Sequence, residues 1–150
     1  MKRTEFSSAR FGTAAQIEVL NALAPAVVRE TEAHEARRKL WFPNDLSSAD
    51  AEAPPEREEE VAKMRAAARD LPDIVRVALA LNLLTEEGLP HFHRLIAVYF
   101  GPESPWSDWN NLWTAEEDRH GCAIRDYVRD ARIFDMRALE VLQFQYIQAG

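Results

Sequence analysis

The sequence is poor in cysteine and in long apolar runs, and each shortage excludes a class of protein. A single cysteine, Cys122, cannot form an internal disulfide or a cysteine-based zinc ribbon, which favours a reducing compartment. The most apolar stretch, IVRVALALNLL, contains Arg76 and is too short to cross a bilayer. The first residues, MKRTEFSSARFGTAA, lack the apolar region of a secretory signal peptide. We therefore expect a cytoplasmic protein without a membrane span.

Positive charge is also scarce, with 18 Lys and Arg against 25 Asp and Glu and a net charge of −7. Such a surface repels a phosphate backbone, so the composition argues against nucleic-acid binding. Apolar residues, in contrast, make up 47% of the 150 residues, which is enough to bury the core of one soluble domain. We expect residues 1–150 to form that domain.

Apolar residues recur at helical spacing and rarely alternate as they do in strands, so we predict an all-α fold. Ser104 and Asp135 have the positions of N-caps, and Pro105 that of a first helical residue. Pro25 and Pro90 fall inside helical patterns and are expected to kink them. The predicted helices are residues 13–39, 55–69, 72–100, 105–131 and 136–148.

The segment TAEEDRHG in the fourth helix places polar residues on an apolar face. Glu117 and His120 are three residues apart and therefore neighbours on one face of the helix. Ile124 and Tyr127 continue the same face as an apolar row of the kind that a soluble helix buries. A buried carboxylate needs a partner.

A second carboxylate, Glu86, interrupts the apolar row of the preceding helix. The short link GPES makes these two helices antiparallel neighbours. At about 1.5 Å per residue, Glu86 lies roughly 21 Å before the turn and Glu117 roughly 18 Å after it, so the two should meet. Facing carboxylates beside a histidine are unfavourable without a cation and favourable with a hard metal ion. One Glu together with a Glu-x-x-His from the next helix is half the ligand set of a ferritin-like di-iron bundle.

Four segments in this order, KLWFPND, RDLPDIVRVALALNLLTEEGLP, WNNLWTAEEDRHG and ARIFDMRALE, resemble the soluble acyl-acyl-carrier-protein desaturases. The resemblance extends from Lys39 to the end and is to the N-terminal half of that family. It implies an all-α, ferritin-like helical bundle, here partial because the later helices of the family lie outside this sequence. It also implies two iron ions that activate O2 and a saturated acyl chain on acyl carrier protein as the substrate. The electrons would come from a ferredoxin-type donor, and the product would carry a new double bond.

The resemblance assigns roles to individual residues. It implies that Glu86, Glu117 and His120 are the catalytic metal ligands and that Trp41 carries electrons towards the histidine. It also implies a set of side chains that line an acyl tunnel, for which ordinary core packing is the alternative. These are Leu95, Val98, Tyr99 and Trp113.

Charge adds a weaker candidate, a basic row that could dock an acidic carrier protein. It consists of Arg125, Arg129 and Arg132. Asp126 and Asp130 lie beside it, which favours a salt-bridged, solvated face as the alternative. Cys122 is expected to be a small core residue.

The family has another Glu and a second Glu-x-x-His on its later helices, and this sequence contains no second Glu-x-x-His. Three ligands are too few for a di-iron centre. Either the chain is part of a longer enzyme, or it is a half protein that pairs as a homodimer by burying an apolar stripe. That stripe would lie around Leu79, Leu83, Trp113 and Ile124. Two further possibilities are a non-catalytic ferritin-like iron-binding protein and a half desaturase that acts as a structural or regulatory partner.

Overall fold

A computed structural model gives the structure of residues 14–46 and 54–149. Within these ranges the chain forms seven helices and no strand, which confirms the all-α prediction. The predicted helix start at residue 13 and residues 47–53 of the loop after Trp41 lie outside the described ranges. No helix in the described ranges is long and apolar enough to cross a membrane. The helices are α1 (Ala14–Arg37), α2 (Pro43–Leu46), α3 (Pro54–Arg69), α4 (Asp73–Glu87), α5 (Leu89–Phe100), α6 (Pro105–Asp130) and α7 (Met136–Ala149).

The prediction of one long helix over residues 72–100 is wrong, because the chain forms two helices there. The break falls at Gly88, whose N–H donates to the carbonyl of Thr85 at 3.1 Å. Pro90 lies in the first turn of α5 instead of inside a continuous helix. The N–H groups of a first turn have no intrahelical acceptor, so proline removes no hydrogen bond there. In contrast, α1 continues through Pro25.

Both predicted N-caps are confirmed. The backbone N–H of Ser107 donates to the Ser104 hydroxyl at 3.2 Å, which caps the start of α6. The N–H of Ala138 donates to Asp135 Oδ1 at 3.1 Å, which caps the start of α7. These side-chain acceptors satisfy donors that the helices themselves leave unpaired.

The chain divides into two compact units, of which the first comprises residues 1–39 and 90–114. It contains α1, most of α5 and the beginning of α6. The indole N–H of Trp106 donates to the carbonyl of Leu20 at 3.0 Å, which ties α6 to α1. Phe100 packs on Trp106 with a centroid distance of 4.9 Å. Aromatic packing and this hydrogen bond are therefore among the contacts that join the helices of the first unit, together with the hydrogen bond between His93 Nδ1 and the Thr114 hydroxyl at 2.7 Å.

The second unit, residues 40–89 and 115–150, contains the main hydrophobic core. Leu83 of α4 and Val128 of α6 are fully buried at its centre. Leu79 and Ile124 pack against the same core. The expectation that this stripe is left for a second copy to bury is therefore wrong for Leu79, Leu83 and Ile124, because the core of this unit already covers them. The buried residues of the core are Ala68, Leu83, Val128, Ala131, Ile133 and Leu139.

Arg76 joins separate parts of this unit through backbone carbonyls. Its guanidinium donates to the carbonyls of Ala68 at 2.8 Å and Arg69 at 3.1 Å, in the last turn of α3. It also donates to the carbonyls of Leu71 at 3.1 Å and Ile133 at 3.4 Å. A positive charge is favourable at the C-terminal end of a helix, as here at the end of α3. The same guanidinium also holds the turn after α6 through the carbonyl of Ile133.

The α6 helix ends in a Schellman motif that requires a left-handed residue. Arg132 has φ 54°. The N–H of Ile133 donates to the carbonyl of Val128 at 3.0 Å, and that of Arg132 to the carbonyl of Arg129 at 3.2 Å. Glycine is the usual residue at this position because it has no Cβ to clash with the backbone.

Replacing Arg132 with glycine is therefore expected to increase the free energy of unfolding by about 1 kcal/mol. Urea denaturation measures the change. Arg129→Gly is the matched control, because residue 129 is helical and forms ion pairs with Asp126 and Asp130. It should destabilise the protein by about 1 kcal/mol. A loss of stability in Arg132→Gly would show that the arginine side chain contributes more than its backbone strain costs.

Candidate metal centre

Glu86, Glu117 and His120 converge in the second unit. One potential ligand atom from each lies within 4.8 Å of the others. Glu86 is in the last turn of α4, and the other two residues are on α6. The meeting of the two carboxylates that the helix rise predicts is thus confirmed. Within residues 14–46 and 54–149, no second group of three such side chains occurs.

Gly121 makes the close approach of the two helices possible. A Cβ built on this residue would lie 3.1 Å from Glu86 Cβ, which is tighter than ordinary van der Waals contact. Glycine inside a helix costs about 1 kcal/mol relative to alanine, so its presence indicates a packing requirement. The sequence interpretation assigned no role to this residue. The signal that identifies it is its position directly after His120, in the middle of α6.

Replacing Gly121 with alanine is expected to move the Glu86 backbone away from α6 and to weaken divalent metal binding roughly tenfold or more. The gain in helix propensity of about 1 kcal/mol should keep the protein folded. Titration with Co2+, followed by absorbance, measures the affinity. Cys122→Ala is the matched control, because Cys122 is exposed on the same helix. An unchanged affinity in Gly121→Ala would mean that the helices can shift without separating the ligands.

The charges of the cluster favour a bound cation. His120 Nδ1 lies 2.7 Å from Glu117 Oε2, so this pair is already in hydrogen-bonding contact. Partial burial raises the pKa of Glu86, the Glu117 carboxylate raises it further, and His120 partly offsets both effects. A positive ion beside these groups relieves the repulsion between the carboxylates. Two carboxylates and one imidazole form a donor set that suits iron and other first-row metal ions.

The cluster is more exposed than predicted. The Glu117 and His120 side chains are 28% and 44% exposed, whereas the sequence pattern indicates a buried face. The α4 and α6 helices bring the three side chains together but cover only part of them. Water can therefore reach the site in the second unit.

Trp41 lies directly on the cluster. It precedes α2, and its ring stacks on the His120 imidazole with a centroid distance of 5.7 Å and an interplanar angle of 16°. The Arg119 guanidinium lies 5.2 Å from the centroid of the Trp41 ring. Arg119 Nη1 also donates to the Trp41 carbonyl at 2.8 Å. The structure thus places the residue assigned to electron transfer against one of the candidate ligands.

The side chains predicted to line an acyl tunnel belong to the first unit. Leu95, Val98 and Tyr99 on α5 are 56%, 63% and 48% exposed. Trp113 is partly buried and stacks on Trp109 with a centroid distance of 5.9 Å. Their part in a tunnel stays a prediction.

The basic row on α6 takes part in intramolecular ion pairs. Arg125 is partly buried and paired with Glu87 of α4. Arg129 contacts Asp126 at 2.9 Å. Arg132 is exposed in the turn after α6. These pairs favour the salt-bridged-face alternative, and carrier docking stays a prediction.

The expectation that Cys122 is a core residue is wrong, because its side chain is exposed. It follows Gly121, the residue of α6 that faces α4, and one residue corresponds to about 100° of rotation around a helix. Partial desolvation, together with the carboxylates of Asp118 and Asp126, raises the pKa of its thiol. A raised pKa makes the thiol a poor nucleophile.

Comparison with known proteins gives a match over most of the chain. The family described as fatty acid desaturase matches residues 15–150. DesA1 of Mycobacterium tuberculosis, whose name assigns it provisionally to the acyl-acyl-carrier-protein desaturases, is 34% identical over 140 residues, which cover 89% of this chain and 39% of DesA1. A chloroplastic stearoyl-acyl-carrier-protein 9-desaturase of Linum usitatissimum is 34% identical over 110 residues, which cover 68% of this chain and 27% of the relative. The chain thus spans less than half the length of these curated relatives.

Proposed function

Because the chain belongs to the fatty acid desaturase family, we propose that it forms part of an acyl-acyl-carrier-protein desaturase. The reaction would introduce a double bond into a saturated acyl chain carried by acyl carrier protein. The observation that carries the proposal is the cluster of Glu86, Glu117 and His120, with ligand atoms within 4.8 Å of one another. The all-α structure agrees with the ferritin-like helical bundle of the family.

The proposed cofactor is a pair of iron ions, which would supply the O2 activation needed to remove hydrogen from an unactivated methylene. Glu86 and Glu117 would balance the charge of the metal, and His120 would add a neutral donor. Glu117 already contacts the His120 ring at 2.7 Å, so the two donors on α6 are held together. Partial burial and, after it, repulsion from the Glu117 carboxylate raise the pKa of Glu86, and a bound cation would relieve that repulsion.

We propose that electrons from a ferredoxin-type donor enter through Trp41. The support is the parallel stacking of its indole on the His120 imidazole, 5.7 Å between centroids. The indole is partly exposed, so a protein donor could approach it from solvent. A reducing, cytoplasmic location would suit both this donor and the single exposed thiol.

The proposed substrate needs an apolar path and a carrier-docking surface. Leu95, Val98, Tyr99 and Trp113 remain the candidates for the path because they are apolar or aromatic side chains. Within residues 14–46 and 54–149, Arg125 and Arg129 form ion pairs and Arg132 does not. The acidic carrier protein would meet positive charge at this corner of α6.

A second copy of the chain is the alternative source of further ligands. Within the described residues, the cluster supplies three metal ligands. A second copy related by a two-fold axis beside the cluster would supply three more, which gives six ligands in total. A homodimer of this kind needs an apolar contact face, and α7 exposes Val141, Leu142, Phe144 and Tyr146. A non-catalytic iron-binding protein or a structural partner of a full-length enzyme would use the same cluster or the same face without turnover.

The proposed reaction is tested on the natural gene product that carries these residues. It is incubated with Fe2+, O2, a reduced ferredoxin system and stearoyl acyl carrier protein, and the acyl chain is analysed by mass spectrometry. We expect a product that lacks two hydrogen atoms, and Glu117→Gln should abolish it. A hydroxylated product would instead indicate a related oxygenase, and iron uptake without any acyl product would favour the iron-binding alternative.

A further inference from the structure

Arg119 contacts both the backbone and the ring of Trp41. Its Nη1 donates to the Trp41 carbonyl at 2.8 Å, and its guanidinium carbon lies 5.2 Å from the centre of the indole ring. The Arg119 side chain is only 14% exposed, and Glu116 lies 3.8 Å from it on the same helix. A partly buried arginine in this position is therefore fixed on the indole and oriented by a carboxylate.

The side chains next to Trp41 contribute little to packing. The side chains on either side, Leu40 and Phe42, are 60% and 56% exposed. The N–H of Phe42 donates to Asp45 at 2.7 Å, a local bond that caps α2 and gives no contact with α6. Trp41 itself therefore anchors this segment, and Arg119 and His120 are its neighbours on the helix.

Arginine is suited to this double contact. Its planar guanidinium can lie against an aromatic face while its N–H groups donate in the plane, and it keeps its charge at every physiological pH. Lysine can retain the attraction between a cation and the ring, but its single ammonium does not reproduce the planar arrangement.

We propose that Arg119 is a positioning residue that holds Trp41 stacked on the His120 imidazole. In its absence the indole leaves His120, although Glu86, Glu117 and His120 stay in place on α4 and α6. The importance of this for electron entry rests on the proposed function. The placement of Trp41 does not, because it can be measured without metal or substrate.

The test compares Arg119→Met and Arg119→Lys with the wild type. In each background, the fluorescence of Trp41 is the difference between the protein and its Trp41→Phe counterpart, and quenching by acrylamide reports how exposed the indole is. We expect the accessibility of Trp41 to increase roughly threefold in Arg119→Met and by a smaller but measurable amount in Arg119→Lys. Arg129→Met is the matched control, because Arg129 lies on the same helix and pairs with Asp126.

A metal titration separates placement of Trp41 from binding by the ligands. Co2+ should bind Arg119→Met within about threefold of its wild-type affinity, but should quench the Trp41 signal less. Unchanged accessibility of Trp41 in a folded Arg119→Met or Arg119→Lys protein would overturn the proposal. Failure of the wild type to bind Co2+ would count against the proposed metal centre, and the acrylamide measurement would still decide the role of Arg119.

Discussion

Replacing Glu86 with glutamine is expected to weaken divalent metal binding by roughly 100-fold or more, since loss of a supporting residue alone costs 10- to 100-fold. The same substitution should make the metal-free protein slightly more stable, by at most about 1 kcal/mol, because solvent screens the repulsion at this partly exposed site. The two effects have opposite signs because Glu86 faces another carboxylate. Glutamine keeps the size of the side chain and removes its charge.

The pKa of Glu86 determines how the stability difference depends on pH. Burial and the Glu117 carboxylate raise this pKa in the folded protein. A carboxyl group with a raised pKa contributes stability that is fully present below its unfolded pKa and is lost as the pH rises through the folded value. The advantage of Glu86→Gln should therefore be largest at neutral pH and vanish in acid.

Urea denaturation of the metal-free proteins across this pH range, together with Co2+ titration, measures both effects. Glu87→Gln is the matched control, because Glu87 is the adjacent carboxylate and pairs with Arg125 instead of joining the cluster. It should lose stability and keep most of the metal affinity. If Glu86→Gln bound metal as tightly as the wild type, Glu86 would not be a ligand.

Replacing Arg76 with methionine is expected to lower the free energy of unfolding by roughly 2–4 kcal/mol. Four carbonyl groups lose a charged donor, among them the carbonyl of Ala68, a buried core residue, at 2.8 Å. The carbonyl of Ile133 at 3.4 Å is also affected, so the end of α3 and the turn after α6 should loosen together.

The midpoint of urea unfolding measures this loss, provided that the slope of the transition is unchanged. Arg137→Met is the matched control, because Arg137 is exposed on α7. Its effect should stay within about 0.5 kcal/mol. If Arg76→Met lost no more stability than Arg137→Met, water would replace the guanidinium at these carbonyls without cost.

The helix bounds were predictable where local chemistry determines them. Ser104 and Asp135 are followed by the N–H groups that they cap, so their role could be derived from the sequence. The break at Gly88 was missed because apolar residues continue at helical spacing on both sides of it. Helix periodicity does not distinguish a kinked helix from two helices in succession.

The meeting of Glu86 and Glu117 was also predictable, because helix rise and a short link fix the height of each residue. The place of Trp41 was not, since it lies in a connection, 78 residues before its contact Arg119. Only the resemblance to a known family indicated it. The contact of Gly121 with Glu86 and the exposure of His120 depend on the distance between helices, which residue spacing does not give.

The most direct test of the metal centre is anomalous diffraction at the iron edge from crystals grown with Fe2+ under anaerobic conditions. We predict an anomalous peak within roughly 2.0–2.3 Å of one donor atom from each of Glu86, Glu117 and His120. The peak should be absent in Glu117→Gln crystals grown in the same way. A saturated crystal whose iron lies elsewhere, with these three side chains free of metal, would contradict the assignment.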